Sequence, residues 1–534
     1  MSEVLADLLH DSGRTGAPRP VLFDRGAPIE ARHLHAEVGR IAGGLAALGI
    51  EPGDRVAIWL PNVPAWLTTL FALARLGAIA VSVNTRFKSH ELASILRRSE
   101  PRVLVYWPGF NGIDFPGILS ACDPAALTSI ESLLEYDEAG GALPDEGRAG
   151  GHTISRIDFA SLPAVSAPDD RASPTAGCVM FSTSGTTREP KLVLHDQATL
   201  VRHARNVAAA WRLDSGSAVY LVPPVCGVYG FCTALAALAG AAPLWMRPVW
   251  DAAAAVAEID RGRCTHVTGT DDVYAQLLAE RGHEPEPFPN LRFAGFAPFN
   301  PVLTDIVASA ERRGLRLSGL YGTSEVQALF SLRTDDTAPA GERGLGGGYP
   351  VDPEARVRAR DSTSGSVLPN DTLGELEILA PHSRMVGYFG DAAATRAAFT
   401  DDGWYRTGDL GWTTEDGSFV FQSRAGDSLR LGGFLVHPAE IESVVQEAVG
   451  VKACQVVAIP RAEGLRPIAF VIPAEGCEVD EDQLTRHVRA RLAAYKVPAR
   501  FFPIEAFPVT ASANGFKIRR DALRQLALEL VDGD

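Results

Sequence analysis

FSTSGTTREPKLVL, residues 181–194, carries the most specific chemistry in the sequence. An apolar strand runs into Thr183, Ser184, Gly185, Thr186 and Thr187, and the loop closes on Pro190 and Lys191. Glycine and small hydroxyl residues let backbone amides and side-chain hydroxyls turn inward on phosphate oxygens. Lys191 brings a positive charge to the same place. The run lacks G-x-x-x-x-G-K followed by Ser or Thr, so it is not a Walker A loop. Standing alone, it would also suit a Ser/Thr-rich surface turn.

Outward from this loop, apolar strand-like runs alternate with helical ones. DRVAIWL (54–60) precedes a helix expected from about Ala65 to Leu76, then AIAVSVN (78–84); PRVLVYW (101–107) follows another helix. That alternation is the grammar of doubly wound α/β structure. The segment from Tyr136 to Ala172 is rich in Gly, Pro, Asp and Ser and reads as a long surface connection. From Ser215 to Met246 there is no charged residue. Its prolines and small residues, without flanking anchors, favour a buried strand and helix over a membrane span.

Beyond about Asp427 the pattern becomes a compact α+β unit. Pro438 opens a helix whose apolar face is Ile441, Val444, Val445 and Ala448, and Gly450 suits its stop. VKACQVVAIP and PIAFVIP read as strands. Asp480 caps a further helix with Leu484, Val488, Leu492 and Tyr495 on one side.

A chain of 534 residues exceeds one ordinary core, so at least two domains are expected. The net charge of -15 argues against nucleic acid as a partner, whereas ATP needs only a local basic, amide-lined site. Seven scattered cysteines without a C-x-x-C pair suit reduced thiols in a cytoplasmic enzyme better than disulfides or zinc. MSEVLADLLHDSG lacks a basic start and apolar run, so no export signal is expected.

Five more segments follow the loop in order: GFAPFN (295–300), YGTSE (321–325), DGWYRTGDLG (402–411), SRAGDSLRLGGFLVHPAEIE (423–442) and NGFKIRRDALR (514–524). Together the six resemble the motifs of the adenylate-forming (ANL) superfamily of AMP-dependent synthetases and ligases, the acyl-CoA synthetases in particular. The resemblance spans nearly the whole chain. It implies an α/β fold with a large N-terminal domain of doubly wound and distorted-barrel subdomains, residues 1–425, holding ATP and the acyl group. A small mobile α+β C-terminal domain, residues 426–534, would carry the catalytic lysine.

The resemblance also implies roles. Thr183 to Thr187 and Lys191 would hold phosphates, with Gly295, Ala297 and Pro298 lining adenine and Tyr321 stacking on it beside Gly322. Glu325 would hold Mg²⁺, and Ser324, in place of the usual threonine, keeps a hydroxyl for phosphate. Asp409 would accept from the ribose hydroxyls, with Arg424 near the same sugar. Lys517 would bring the carboxylate and the bridging phosphate oxygen together, which supplies positioning and charge relief. One extra residue separates Gly515 from Lys517 relative to the commonest family form. Gly426 stands at the hinge, where Asp or Lys is usual, and Gly433 where a pantetheine arm passes.

Two departures from the family pattern stand out, the first bearing on the phosphate loop and the second on the acyl pocket or acceptor path. Arg188 replaces a second loop glycine, and in PPVCGVYGF (223–231) Gly227 stands where many relatives have histidine. The acyl pocket and acceptor path would involve Val225, Gly227, Tyr229 and Phe299, mostly apolar or aromatic. That favours an aliphatic, alicyclic or aromatic acid over an α-amino acid. The leading expectation is an acid–thiol ligase with CoA as acceptor; amide formation with an amine, or loading of a separate carrier protein, are the alternatives. A binding protein that has lost catalysis is disfavoured by the retained Lys191, Glu325, Asp409 and Lys517. Oligomeric state stays open, a homodimer included.

Overall fold

Near-continuous apolar runs form strands where both sheet faces are covered, and in strand Arg55–Trp59 the four residues after the arginine, Val56–Trp59, are fully buried. The computed structural model describes residues 3–13, 20–136, 146–149, 152–163, 165–183, 190–283, 286–298, 303, 305–333, 340–424, 429–431, 434–436, 438–461, 464–492, 496–512 and 515–532. The chain divides into two compact units. Met1–Ala297, Val307–Val357 and Glu377–Arg406 make the first; Pro298–Ile306, Arg358–Leu376 and Thr407–Asp534 make the second.

In the first unit, a sheet of nine described strands has a parallel centre. Its order there is Gly177–Thr183, Ile79–Ser82, Arg55–Trp59, Val103–Tyr106, Ser132–Glu135 and His152–Asp158. Lys191–Asp196 and Gly387–Tyr388 extend one edge antiparallel. A second sheet sets Pro20–Asp24, Leu244–Met246, Val219–Leu221, His266–Thr270, Phe293–Ala297 and Leu317–Tyr321 side by side in parallel.

Helices Ala31–Ala47, Pro64–Leu76, Gln197–Ala210 and Val228–Ala239 share one apolar core with both sheets. Pro64–Leu76 opens on proline, whose missing N–H costs nothing there, and stops at Gly77 with φ 71°. Because it lies in a shared core it is buried on nearly every side; truncating Leu70 to alanine there should cost about 2–5 kcal/mol. Helix Val228–Ala239 and the short strands Val219–Leu221 and Leu244–Met246 are the regular elements of the uncharged run. Among the described residues no helix is long and apolar enough to cross a membrane.

One expectation is corrected. The stretch Tyr136–Ala172, read as a surface connection, contributes Glu146–Ala149 and His152–Asp158, an antiparallel pair that extends the nine-stranded sheet. Ile154, Phe159 and Leu162 are buried in that stretch, so three apolar anchors outweigh its turn-forming composition.

In the second unit, Tyr405–Thr413 pairs antiparallel with Phe419–Arg424. Further along, Val451–Arg461 pairs antiparallel with Gly464–Pro473, which takes Arg500–Pro503 in parallel. Helix Pro438–Gln446 lays Ile441 and Val445 on this sheet, and Asp480 caps Glu481–Arg489 by accepting from the Gln483 amide at 2.9 Å. Arg520, at the start of the last helix, donates to Glu442 Oε1 at 2.9 Å and to Gln455 Oε1 at 3.1 Å. Glu442 also accepts from the Val456 amide, so one buried carboxylate ties two helices to the sheet. Tyr495 lies outside the described residues.

Candidate active site

In open α/β sheets, ligands meet the carboxyl ends of the parallel strands. In the first unit those ends are Leu221, Thr270, Ala297 and Tyr321, on strands in register as neighbours. The segments singled out from sequence leave from them. Gly295 and Ala297 end one strand, with Pro298 directly after; Tyr321 ends the next, and Gly322 begins the turn that carries Ser324 and Glu325.

Two of these glycines have packing reasons. A Cβ at Gly295 would sit 2.7 Å from the Phe293 ring and 2.9 Å from Leu320. At Gly322 it would sit 2.7 Å from Ala328 Cα and 2.9 Å from the Leu329 amide, closing the space into which the turn folds back. The Gly295 carbonyl accepts from the Tyr274 hydroxyl at 2.9 Å.

The phosphate-loop candidates begin and end on a β-hairpin. Thr183 pairs directly with Lys191, which brings the two ends of the loop together. Ser184, Gly185, Thr186 and Thr187 lie outside the described residues, as do Phe299, Gly426 and Gly433. Lys191 Nζ lies 4.5 Å from the centre of the Tyr388 ring. The Tyr388 hydroxyl donates to Glu325 Oε1 at 2.9 Å, and both residues are buried.

The Glu325 turn is held by buried histidines. His195 Nε2–H donates to the Ser324 carbonyl at 2.7 Å, and His203 Nε2–H donates to the Ala328 carbonyl at 2.8 Å. Burial is the main reason each imidazole is pulled down from 6.5 to about 4, so both are neutral near pH 7. The carbonyl partner fixes the tautomer: Nε2 carries the proton and Nδ1 is bare.

At the proposed acyl segment, Val225 is fully buried, its amide donating to Asn62 Oδ1 at 2.7 Å. Gly227 is the N-cap of helix Val228–Ala239, with φ -102° and ψ 147°. Tyr229 is buried with its hydroxyl donating to the Gly269 carbonyl at 3.1 Å, and burial pushes its pKa up. Gly230 admits no side chain: a Cβ would lie 2.3 Å from the carbonyl oxygens of Pro223 and Pro224.

In the second unit, Asp409 and Arg424 face each other across paired strands, with Oδ1 3.1 Å from Nε. Asp409 is buried while the Arg424 side chain is half-exposed. Asp409's amide donates to Thr407 Oγ1, which in turn donates to the Leu376 carbonyl at 2.6 Å. Lys517 lies on strand Gly515–Ile518, opposite Thr510. Its side chain is outside the described part.

The sequence matches the AMP-binding enzyme family over residues 9–389 and the AMP-binding enzyme C-terminal domain over residues 440–514. The chain belongs to the AMP-binding enzyme family. It is an AMP-forming ligase of the acyl-CoA synthetase type. A methyl-dioxo-octahydroindenyl-propanoyl:CoA ligase from Mycobacterium tuberculosis is 30% identical over 491 residues, 91% of each chain. A sulfoacetate–CoA ligase from Cupriavidus necator is 30% identical over 519 residues, 95% of each chain. The fold is similar to that of ATP-bound MatB from Rhodopseudomonas palustris, with TM-score 0.84 at 24% identity, covering 99% of this chain and 100% of that one.

Sequence reasoning missed three residues that hold the candidate site together. Tyr388 sits in an unremarked VGYFG, and His195 and His203 follow the loop without a motif to mark them. They lie on the strand and helix that follow the loop and on the sheet's edge strand, positions that only the fold gathers.

The donor set is compatible with Mg²⁺. Among the described residues there is no cluster of three or more His, Cys, Asp or Glu side chains, so no protein cage is present. Instead Glu325 offers a buried carboxylate whose side-chain hydrogen bond, among those residues, comes from Tyr388 alone. Beside it the Thr323 hydroxyl is buried without a described partner. One carboxylate plus substrate phosphates and water is the usual way Mg²⁺ is held.

Proposed function

We propose that this enzyme activates an apolar aliphatic, alicyclic or aromatic acid with ATP and passes the acyl group to CoA. In the first step a carboxylate oxygen attacks the α-phosphorus and the bond to pyrophosphate breaks. In the second the CoA thiolate attacks the acyl carbon and AMP leaves. The observation that carries the reading is the Lys191–Tyr388–Glu325 arrangement beside the carboxyl ends of the parallel strands. It provides a cation and a buried carboxylate where a polyphosphate meets a metal. Mg²⁺ held by Glu325 would neutralise phosphate charge.

The chain's own residues do the rest. The loop amides and Lys191 orient the phosphates, and Tyr321 presents its ring to the adenine. Asp409, held by Arg424 and by its amide's bond to Thr407, accepts from the ribose hydroxyls. Lys517 steadies the carboxylate against the α-phosphate, two negative groups that otherwise repel. Withdrawal of Lys517 by a turn of residues 426–534 about Gly426 then clears the way for the thiol past Gly433.

The acid class rests on Val225 to Gly230. Val225 is buried, Gly227 has no side chain, and Tyr229 has committed its hydroxyl to a backbone carbonyl. No charged group there would hold an amino acid's ammonium. The two relatives named above act on acids of different character, so the pocket and not kinship supports this choice. Supplying CoA or amines separately to a panel of acids, with mass analysis of products, tests the acceptor. A thioester from apolar acids supports the reading; amide without thioester overturns the choice of CoA.

A further inference from the structure

Tyr388 touches two charged groups of the site at once. Its hydroxyl donates to Glu325 Oε1 at 2.9 Å, while its ring face lies 4.5 Å from the Lys191 ammonium. The residue has little freedom to do otherwise. Its strand pairs Tyr388 with Val193, two residues beyond Lys191, and its amide donates to Thr395 Oγ1 at 2.9 Å. Packing against Val193 and Met385 buries it to 7% exposure.

We infer that Tyr388 is a positioning residue that couples the phosphate-loop lysine to the metal-binding glutamate. This rests on the reading of Glu325 as the Mg²⁺ ligand. A carboxylate has two oxygens, and a hydrogen bond fixed on Oε1 sets the rotation of the group and directs Oε2 to the remaining partner. The ring face meanwhile holds the ammonium through the quadrupole of the π system, an attraction that strengthens away from water. A lysine free to swing would reach Glu325 and neutralise it by direct pairing. Parked on the ring, the cation stays available to phosphate and the carboxylate stays available to metal. One side chain thus keeps two opposite charges in the same site from cancelling each other.

The two contacts separate by mutation. Tyr388→Phe keeps the ring and its packing but deletes the donor to Glu325. Tyr388→Leu deletes both. Partners of metal ligands typically contribute on the order of 10–100-fold in metal affinity. Equilibrium binding of ATP by calorimetry, with Mg²⁺ and again in EDTA, reads the effect without catalysis. Tyr388→Phe should weaken Mg²⁺-dependent ATP binding about tenfold and leave binding in EDTA unchanged. Tyr388→Leu should weaken both. A role in folding alone would lower both equally in each variant, and the Phe variant, equal in shape, is the one that keeps the test valid if the Leu variant does not fold. If wild-type affinity for ATP does not respond to Mg²⁺, the metal role of Glu325 fails and the inference with it. If it responds and Tyr388→Phe behaves as wild type, the inference alone is wrong.

Discussion

Lowering the pH from 7 to 5 should loosen the hairpin and helix that carry Lys191 before it disturbs the rest of the first unit. His195 and His203 are fully enclosed and neutral, each held at about 4 by burial, against 6.5 in an unfolded chain. Below about 6.5 the unfolded segment takes up protons that the folded one refuses, so stability falls with pH and levels off below about 4. Each imidazole then removes about 2 kcal/mol by pH 5 and about 3 kcal/mol by pH 4. His266, pulled down by burial on a strand of the second sheet, adds a loss of the same sign elsewhere. Carboxylates held low by partners, such as Asp54, lose their contribution only at more acidic pH.

Native-state hydrogen exchange of residues 191–203, corrected for the intrinsic rate at each pH, reads the opening free energy of this segment alone. The wild type should lose about 4 kcal/mol between pH 7 and pH 5, for two histidines together. His195→Gln retains a donor for the Ser324 carbonyl and does not titrate, so its loss should be about half. Equal pH dependence in the two proteins would refute the argument, because the bond to Ser324 and the burial of His195 would then be without consequence.

Lys517→Ala should abolish pyrophosphate release while a supplied acyl-adenylate still yields thioester; pyrophosphate release at the wild-type rate would remove the lysine from the first step. Asp409→Ala should raise the KM for ATP about tenfold, as loss of charge-assisted bonds to ribose predicts, and an unchanged KM would end its ribose role. Gly230→Ala forces a methyl against two carbonyl oxygens at 2.3 Å, so it should cost about 1–3 kcal/mol in urea unfolding and disturb acid turnover. A variant as stable as wild type would show that the Pro223–Pro224 segment yields easily.

The fold was legible because its signals are periodic. Arg55–Trp59, Pro64–Leu76, Val103–Tyr106, Pro438–Gln446 and Val451–Arg461 all lie where apolar spacing and capping residues suggested. His152–Asp158 was not, because a short strand second from the sheet edge needs few apolar anchors and its surroundings have the composition of turns. The uncharged run Ser215–Met246 resolved as buried helix and strand because prolines and short elements break it.

The candidate site divides along a similar line. Lys191, Tyr321, Glu325, Asp409 and Arg424 announce themselves through local motifs. The partners that hold them do not. Tyr388 is 63 residues from Glu325, and His195 is 129 residues from Ser324, distances at which sequence carries no signal without the sheets that join them. Gly295 and Gly322, read as cofactor positions, also have a close-packing reason for lacking a side chain.

Every role assigned above depends on this chain joining a carboxylic acid to AMP. Isotope exchange between pyrophosphate and ATP, measured without CoA and with and without apolar acids, tests it most directly. Exchange should require both Mg²⁺ and the acid, with an acyl-adenylate detectable by mass. Release of ADP and phosphate, or exchange indifferent to the acid, would contradict it.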